Sequence, residues 1–290
     1  MSTDRRRAVV YLYTQTGQLR EVAEAFVRPL HDRDWQIRWV VVTPRVPFPF
    51  PWSVRRFFGV FPDAVNPRAT VDLVEPADGF ASAPDELVIL AYQVWYLAPA
   101  LPVRSLLARH PGSVRDRDVV TVIGCRNMWY SAAREMRGLL AAAGARSVSV
   151  VAATDTRAQA VTFVTTLGWL LTGRREPFAW FGRAGIGATE LDRVAAVGAR
   201  FAATGVCGAD AAPVVAPLAA ADLLAGSAFR TWSRVVRGAE RHGAAARAAS
   251  LVTFVAGLGA GIVVGLPAIA VASALGGARF AAAVRERVIT

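Results

Sequence analysis

The chain has 290 residues, 54% of them hydrophobic, with a mean hydropathy of +0.35 and a formal net charge of +11. That length suits one sizeable core with an appendage, and the hydropathy is too high for an ordinary soluble enzyme, so membrane contact is expected somewhere. All 33 basic residues are Arg and no recognised nucleic-acid motif accompanies them, which sets nucleic-acid binding aside and leaves anionic lipid or acidic substrates as the targets of the charge.

The cysteines, Cys125 and Cys207, and the histidines, His31, His110 and His242, are scattered without metal-ligand spacing. A reducing compartment and no metal are expected. Arg5 to Arg7 precede an apolar run too short for a signal-peptide core, so the chain is expected to start in the cytoplasm.

Val9 to Val27 reads as a strand, a polar turn and a helix from about Gly17 to Leu30. Thr14, Gln15, Thr16, Gly17 and Gln18 offer successive N–H groups and two hydroxyls at a helix N-terminus, which makes a phosphate cradle. The turn carries neither GxxxxGK[ST] nor GxGxxG, so the ATP and dinucleotide readings fall away. Its plain alternative is a strand-to-helix turn with Thr16 as N-cap.

Trp35 to Thr43 predicts a second strand, and Pro44 to Pro84 a long connection in which Pro47, Pro49 and Pro51 prevent regular structure. Its aromatic residues, Trp52, Phe57, Phe58 and Phe61, suit a lid, a membrane-facing lip or packing over the sheet edge. Glu86 to Tyr92 is a buried-strand pattern leading into Gln93, Val94, Trp95 and Tyr96. A helix over Pro102 to Arg109 follows, then a strand over Asp118 to Gly124 that leads into Cys125, Arg126, Asn127, Met128 and Trp129. A helix to about Ala143 and a strand over Ser147 to Ala153 complete the alternation.

The alternation predicts an α/β fold with a doubly wound parallel five-stranded sheet of order 2-1-3-4-5, and a ligand beyond the carboxyl ends of its strands. There three turns converge: the first for a phosphate, the second offering Trp95 or Tyr96 to stack on a flat ring, the third offering Arg126 or Asn127 to its carbonyl oxygens.

Val161 to Gly182 is apolar and aromatic, and suits an interfacial helix, a wall for a greasy substrate or a buried helix. Gly187 to Thr204 predicts a helix with Thr189 as N-cap. Phe229 to Arg247 places Arg230, Arg234, Arg237, Arg241 and Arg247 on a helical pattern, and the 31 residues between Arg247 and Arg279 carry no charge. That run exceeds the roughly 20 residues a spanning helix needs. Gly257, Gly261 and Gly265 form overlapping GxxxG patterns, and Pro267 is expected to kink or break the run. Arginines on both sides favour a re-entrant hairpin turning near Pro267 over simple translocation. The expected division is residues 1–205 as the α/β domain and 206–290 as a basic helix plus a membrane-associated segment, placing the chain at the cytoplasmic face of a bacterial inner membrane, peripheral or re-entrant.

Thr14, Thr16 and Gly17 resemble the phosphate loop of flavodoxin-like proteins, with Leu19 where flavodoxins proper carry another Thr. YTQTGQLREV, the PFPFPW loop with FFGVFP, AYQVWYLAPALP and TVIGCRNMW, over about residues 8 to 180, resemble the dialkylresorcinol condensing enzyme (aromatase) family, flavodoxin-like proteins encoded beside a ketosynthase. The resemblance implies FMN held by Thr14, Gln15, Thr16, Gly17, Gln18 and Leu19 from the first turn, Tyr92, Gln93, Val94, Trp95 and Tyr96 from the second, and Cys125, Arg126, Asn127, Met128 and Trp129 from the third. It implies an FMN-dependent oxidoreductase of secondary metabolism that aromatises a dialkyl cyclohexane-1,3-dione to a dialkylresorcinol. Tyr92, Tyr96 and Tyr130 are the candidate proton carriers. A partner ketosynthase, a hydrophobic substrate and a homodimer go with this reading. The alternatives are an NAD(P)H:quinone reductase of flavodoxin type and an FMN-free membrane scaffold for the ketosynthase.

Overall fold

The computed structural model describes residues 6–289, so that Arg5, the first of the N-terminal arginine run, lies outside the described residues. Five strands, β1 (Arg7–Leu12), β2 (Gln36–Val41), β3 (Glu86–Trp95), β4 (Asp118–Cys125) and β5 (Ser147–Thr154), form a parallel sheet in the order β2-β1-β3-β4-β5. This is the expected flavodoxin-like order. Its side chains alternate between two buried faces: Val9, Tyr11, Val88, Leu90 and Tyr92 on one, Ala8, Val10, Leu12, Ile89 and Ala91 on the other.

The helices are α1 (Gln18–His31), α2 (Val54–Ala64), α3 (Leu101–Arg109), α4 (Tyr130–Ala142), α5 (Gln159–Thr172), α6 (Ala188–Thr204), α7 (Ala216–Glu240), α8 (Ala244–Ala260) and α9 (Leu266–Ile289). Leu19, Val22 and Phe26 of α1 and Val194, Val197 and Phe201 of α6 cover one face of the sheet. The two helices approach so closely that a Cβ at Gly198 would lie 2.2 Å from the Phe26 carbonyl oxygen. The opposite face carries α3 and α4 through Val103, Leu106, Met136 and Leu140.

The connection after β2 departs from the expectation of irregular structure. The run of closely spaced prolines ends at Pro51, the Ser53 hydroxyl then accepts from the Arg56 N–H (3.3 Å), and α2 forms behind that cap, carrying Pro62 in its last turn, with Phe61 fully buried. Two N-cap expectations also change. Gly17, at φ 81°, caps α1 in place of Thr16, and Gly187 caps α6 in place of Thr189, which falls inside the helix.

A third layer is built by α7, which packs on α2 at one end and α4 at the other. The Asp222 carboxylate there accepts from the N–H groups of Tyr130 (3.0 Å) and Ser131 (2.9 Å), capping α4 from outside the sheet. The arginine-bearing pattern of residues 229–247 is not one helix, because Gly243 at φ 102° separates α7 from α8. Nor does the apolar run turn at Pro267. A π-helical segment, Gly261–Gly265, widens the helix just upstream and accommodates the missing N–H and bulky ring, so the break falls at Gly277 (φ 48°, ψ −130°). By length and composition this C-terminal element can cross a membrane: its most apolar 18-residue window has a mean hydropathy of 2.2 and is 6% buried.

Candidate functional site

The carboxyl ends of β1, β3 and β4 bring three turns to one edge of the sheet. In the first, the Thr14 hydroxyl accepts from the Gly17 N–H (3.1 Å), and the Thr16 hydroxyl from the Gln18 N–H (3.4 Å). The left-handed Gly17 directs the chain into α1, and a Cβ there would meet nothing within 4 Å, so the turn is open above it. Among the described residues no protein acceptor meets the N–H groups of Thr16 and Leu19. Unpaired N–H groups at a helix N-terminus suit an anion such as a phosphate.

The second turn is tied to the first, because the Gln93 side chain accepts from the Gln15 N–H (3.2 Å). Beyond Gln93, β3 folds back as a tight hairpin through Tyr96 (φ 51°) and Leu97 (φ 63°), so that Trp95 pairs with Ala98. The indole of Trp95 sits edge-to-face with Tyr13 (5.7 Å between centroids), Phe48 (4.9 Å) and Trp52 (5.9 Å). The proline-rich segment is thereby a lid closed on the turns. It also grips Gln15, whose side chain donates to the Pro49 carbonyl (3.3 Å) and accepts from the Trp52 indole N–H (3.4 Å).

The third turn is held by α5. The Arg126 guanidinium donates to the Thr162 hydroxyl (3.4 Å) and lies over the Phe163 ring (5.6 Å), while Asn127 donates to the side chains of Gln159 and Thr162. Burial lowers the Arg126 pKa, Cys125 and Asp155 opposing it, and burial pushes the Cys125 thiol up to about 12, so no thiolate nucleophile is available at neutral pH. The Asn127 Oδ1 is buried with no hydrogen-bond partner, a vacancy that a ligand donor would fill.

Several groups the sequence did not single out complete the edge. Asp155, after β5, is buried, pairs with Arg157 and accepts from the Gly185 N–H (3.2 Å), drawing residues 183–187 toward α1. Arg175 pairs with Glu21 (2.7 Å), and Gln18 meets the Ile186 backbone. The only signal in the sequence was the polar Asp155-Thr156-Arg157 directly after a buried strand.

The structure therefore joins Thr14, Gln15, Thr16, Gly17, Gln93 and Trp95 across the first two turns and sets Arg126, Asn127 and Met128, the last reached by the Arg126 guanidinium, at the end of the neighbouring strand. Leu19 instead lies in the core against Gly124, whose Cβ would be 3.0 Å from the Leu19 Cδ1, and Gln18 is engaged by the segment folding over α1. Val94 packs on the α3–α4 core, and the buried Trp129 ring lies against Tyr130 (4.4 Å).

The three tyrosines occupy packed positions. Tyr92 is fully buried with no partner for its hydroxyl, and its pKa is raised by desolvation. The Tyr96 hydroxyl donates to the Phe57 carbonyl (2.7 Å) among the rings of α2, and burial raises its pKa too. The Tyr130 hydroxyl accepts from the Val215 N–H (3.0 Å), and burial pushes its pKa up to about 12.

Outside the lid lies a cavity of about 1020 Å³, walled by Phe48 and Trp52 and carrying Arg45, Arg55, Arg56, Arg109 and Arg247 against a single acidic residue, Asp72. A smaller hollow of about 600 Å³ lies at the opposite edge of the sheet, near Arg7, Asp118 and Arg146.

Among solved structures the chain is similar to a flavodoxin from the domain Archaea (13% identity over 68% of this chain and 96% of that one, TM-score 0.36). It is also similar to a flavoprotein in complex with FMN from Lactobacillus acidophilus NCFM (13%, 51% and 91%, TM-score 0.35) and to an NAD(P)H:quinone oxidoreductase from Methanothermobacter marburgensis (12%, 67% and 98%, TM-score 0.34). No protein-family model and no curated protein matches the chain. The fold class rests on the strand order itself.

Proposed function

We propose that this chain is an FMN-dependent oxidoreductase that aromatises a dialkyl cyclohexane-1,3-dione to a dialkylresorcinol, working at a membrane surface beside a partner ketosynthase. The observation that carries the flavin reading is the first turn: unpaired N–H groups of Thr16 and Leu19 at the α1 N-terminus, braced by Gln93 and roofed by an aromatic lid. Thr14 to Gly17 would hold the phosphate, Trp95 would wall the ring, Arg126 would meet one of its carbonyl oxygens, and the unpartnered Asn127 Oδ1 would accept from a ring N–H. Bound FMN would supply a hydride acceptor beside the substrate.

Aromatisation removes one hydride and one proton from the ring. A cyclic 1,3-dione is a vinylogous acid, so its own acidity labilises that proton. The raised pKa values of Tyr92, Tyr96 and Tyr130 make none of them a base at neutral pH, which supports proton loss driven by the substrate. The arginine-lined cavity outside the lid suits first capture of the enolate of such a substrate, with Phe48 and Trp52 against its alkyl chains, and movement of the lid would then admit it to the flavin.

The test is the visible spectrum of detergent-purified protein supplied with FMN, followed anaerobically after adding the dione. Bleaching with formation of the resorcinol is expected. Bleaching by NAD(P)H alone replaces this reading with the quinone reductase, and no bound flavin replaces it with the scaffold.

A further inference from the structure

We infer that the C-terminal helix docks in the plane of one membrane leaflet and does not cross. Residues 244–276 form one unbroken rod, roughly 50 Å long at 1.5 Å per residue, against a hydrocarbon core of about 30 Å. Its first two turns are half-buried at Ala246, Arg247, Ser250 and Leu251, and beyond them only a narrow stripe, Phe254, Leu258, Gly265, Ile269 and Ser273, is buried or half-buried. The rest is apolar and open, with Val252, Val263, Val264, Val271 and Leu275 exposed. A face of this size without charge is covered by something apolar.

Both ends of the rod are fastened to the same domain. Near its start, Phe254 stacks on Phe61 of α2 (3.9 Å between centroids, 16° between planes), and Arg247 donates to the Gly59 carbonyl (3.0 Å). Beyond Gly277 the chain returns, Val284 and Val288 are buried in the α3–α4 core, and Arg137 donates to the Val288 carbonyl. The helix α7 packs against both α8 and α9, so the rod lies alongside the domain. A crossing would tear one anchor from its core, whereas docking in the plane leaves both in place.

Charge agrees with this placement. The exposed Arg234, Arg237 and Arg241 stand at one end, and the exposed Arg279, Arg285 and Arg287 at the other. With the rod in the plane, both groups reach one layer of anionic headgroups, and none is carried across. The occupant is thus the surface of a bilayer containing anionic lipid. This inference stands on helix packing and holds whether or not a flavin binds.

Val264 and Leu275 are exposed three turns apart on one side of the rod, about 16 Å along its axis. The full chain is prepared as Val264→Cys and as Leu275→Cys, each nitroxide-labelled, with the wild-type chain as the blank for Cys125 and Cys207. Each is bound to vesicles of phosphatidylcholine with phosphatidylglycerol, and label depth is read by power saturation. Equal, shallow depths are expected, with binding weakened by salt and by omitting phosphatidylglycerol. Depths differing by about 16 Å would show a crossing helix and overturn the inference, as would failure to bind vesicles together with a stable dimer in buffer, which would assign the face to a second copy of the chain.

Discussion

Asp222 links the C-terminal layer to the third site turn, and its titration gives the sharpest prediction about stability. Its carboxyl lies in the interface between α7 and α4, and desolvation pushes its pKa up from 3.8 to about 6 despite hydrogen bonds from Ser131 and Tyr130. A carboxyl whose folded pKa is raised contributes stability that is complete below its unfolded pKa and is lost as pH rises through the folded value. Here that window runs from about pH 4 to pH 6. Two pKa units at 1.36 kcal/mol each give a loss of about 2–3 kcal/mol across it. Asp222→Asn removes the titration while keeping one acceptor for the two N–H groups. Denaturant unfolding of both proteins at a series of pH values checks this: the wild type should lose about 2–3 kcal/mol more than the variant between pH 4 and pH 7. Parallel curves would refute the argument that this carboxyl is desolvated by the packing of α7 on α4.

Other consequences concern packing and the site. Phe254→Ala removes the stack on Phe61 and should cost about 3–5 kcal/mol, seen in unfolding curves and as new protease sensitivity within α8. Arg104→Met should cost about 2–4 kcal/mol, because it leaves the half-buried Glu135 carboxylate without its partner at 2.9 Å and the Ala64 and Asn66 carbonyls without their donor. Gly17→Val forces a β-branched residue into a left-handed turn and should weaken FMN binding by on the order of tenfold or more, measured by fluorescence titration. Tyr96→Phe and Tyr130→Phe should each cost about 1 kcal/mol in stability and leave the rate of dione oxidation unchanged, since each hydroxyl is engaged by the backbone; a loss of rate with stability retained would restore that tyrosine as a proton carrier.

The sheet was legible in the sequence because buried parallel strands are near-continuous apolar runs, and their alternation with helices leaves few topologies. Helix boundaries were less so. The prolines before Ser53 hid α2, whose formation depends on one capping hydroxyl and on burying Phe61. Gly243 and Gly277, rather than Pro267, end the C-terminal helices, because a π-helical segment absorbs the proline and no such distortion is readable from composition. At the site, the three turns follow strand ends and could be listed in advance. What they touch could not: the Gln15 clasp by Pro49 and Trp52, and the closure of residues 183–187 on Asp155, join positions far apart in the chain. Leu19 follows the same logic. Its place in a motif suggested a cofactor contact, while its apolar side chain took the nearest core against Gly124.

The most direct measurement is a titration of the full-length protein with FMN, following quenching of flavin fluorescence, beside a Gln93→Ala variant in which the brace to Gln15 is lost. One FMN bound per wild-type chain, with weaker binding by the variant at unchanged thermal stability, is the predicted result. Fluorescence that stays at the value of free FMN throughout the wild-type titration would contradict the claim that these turns form a flavin site.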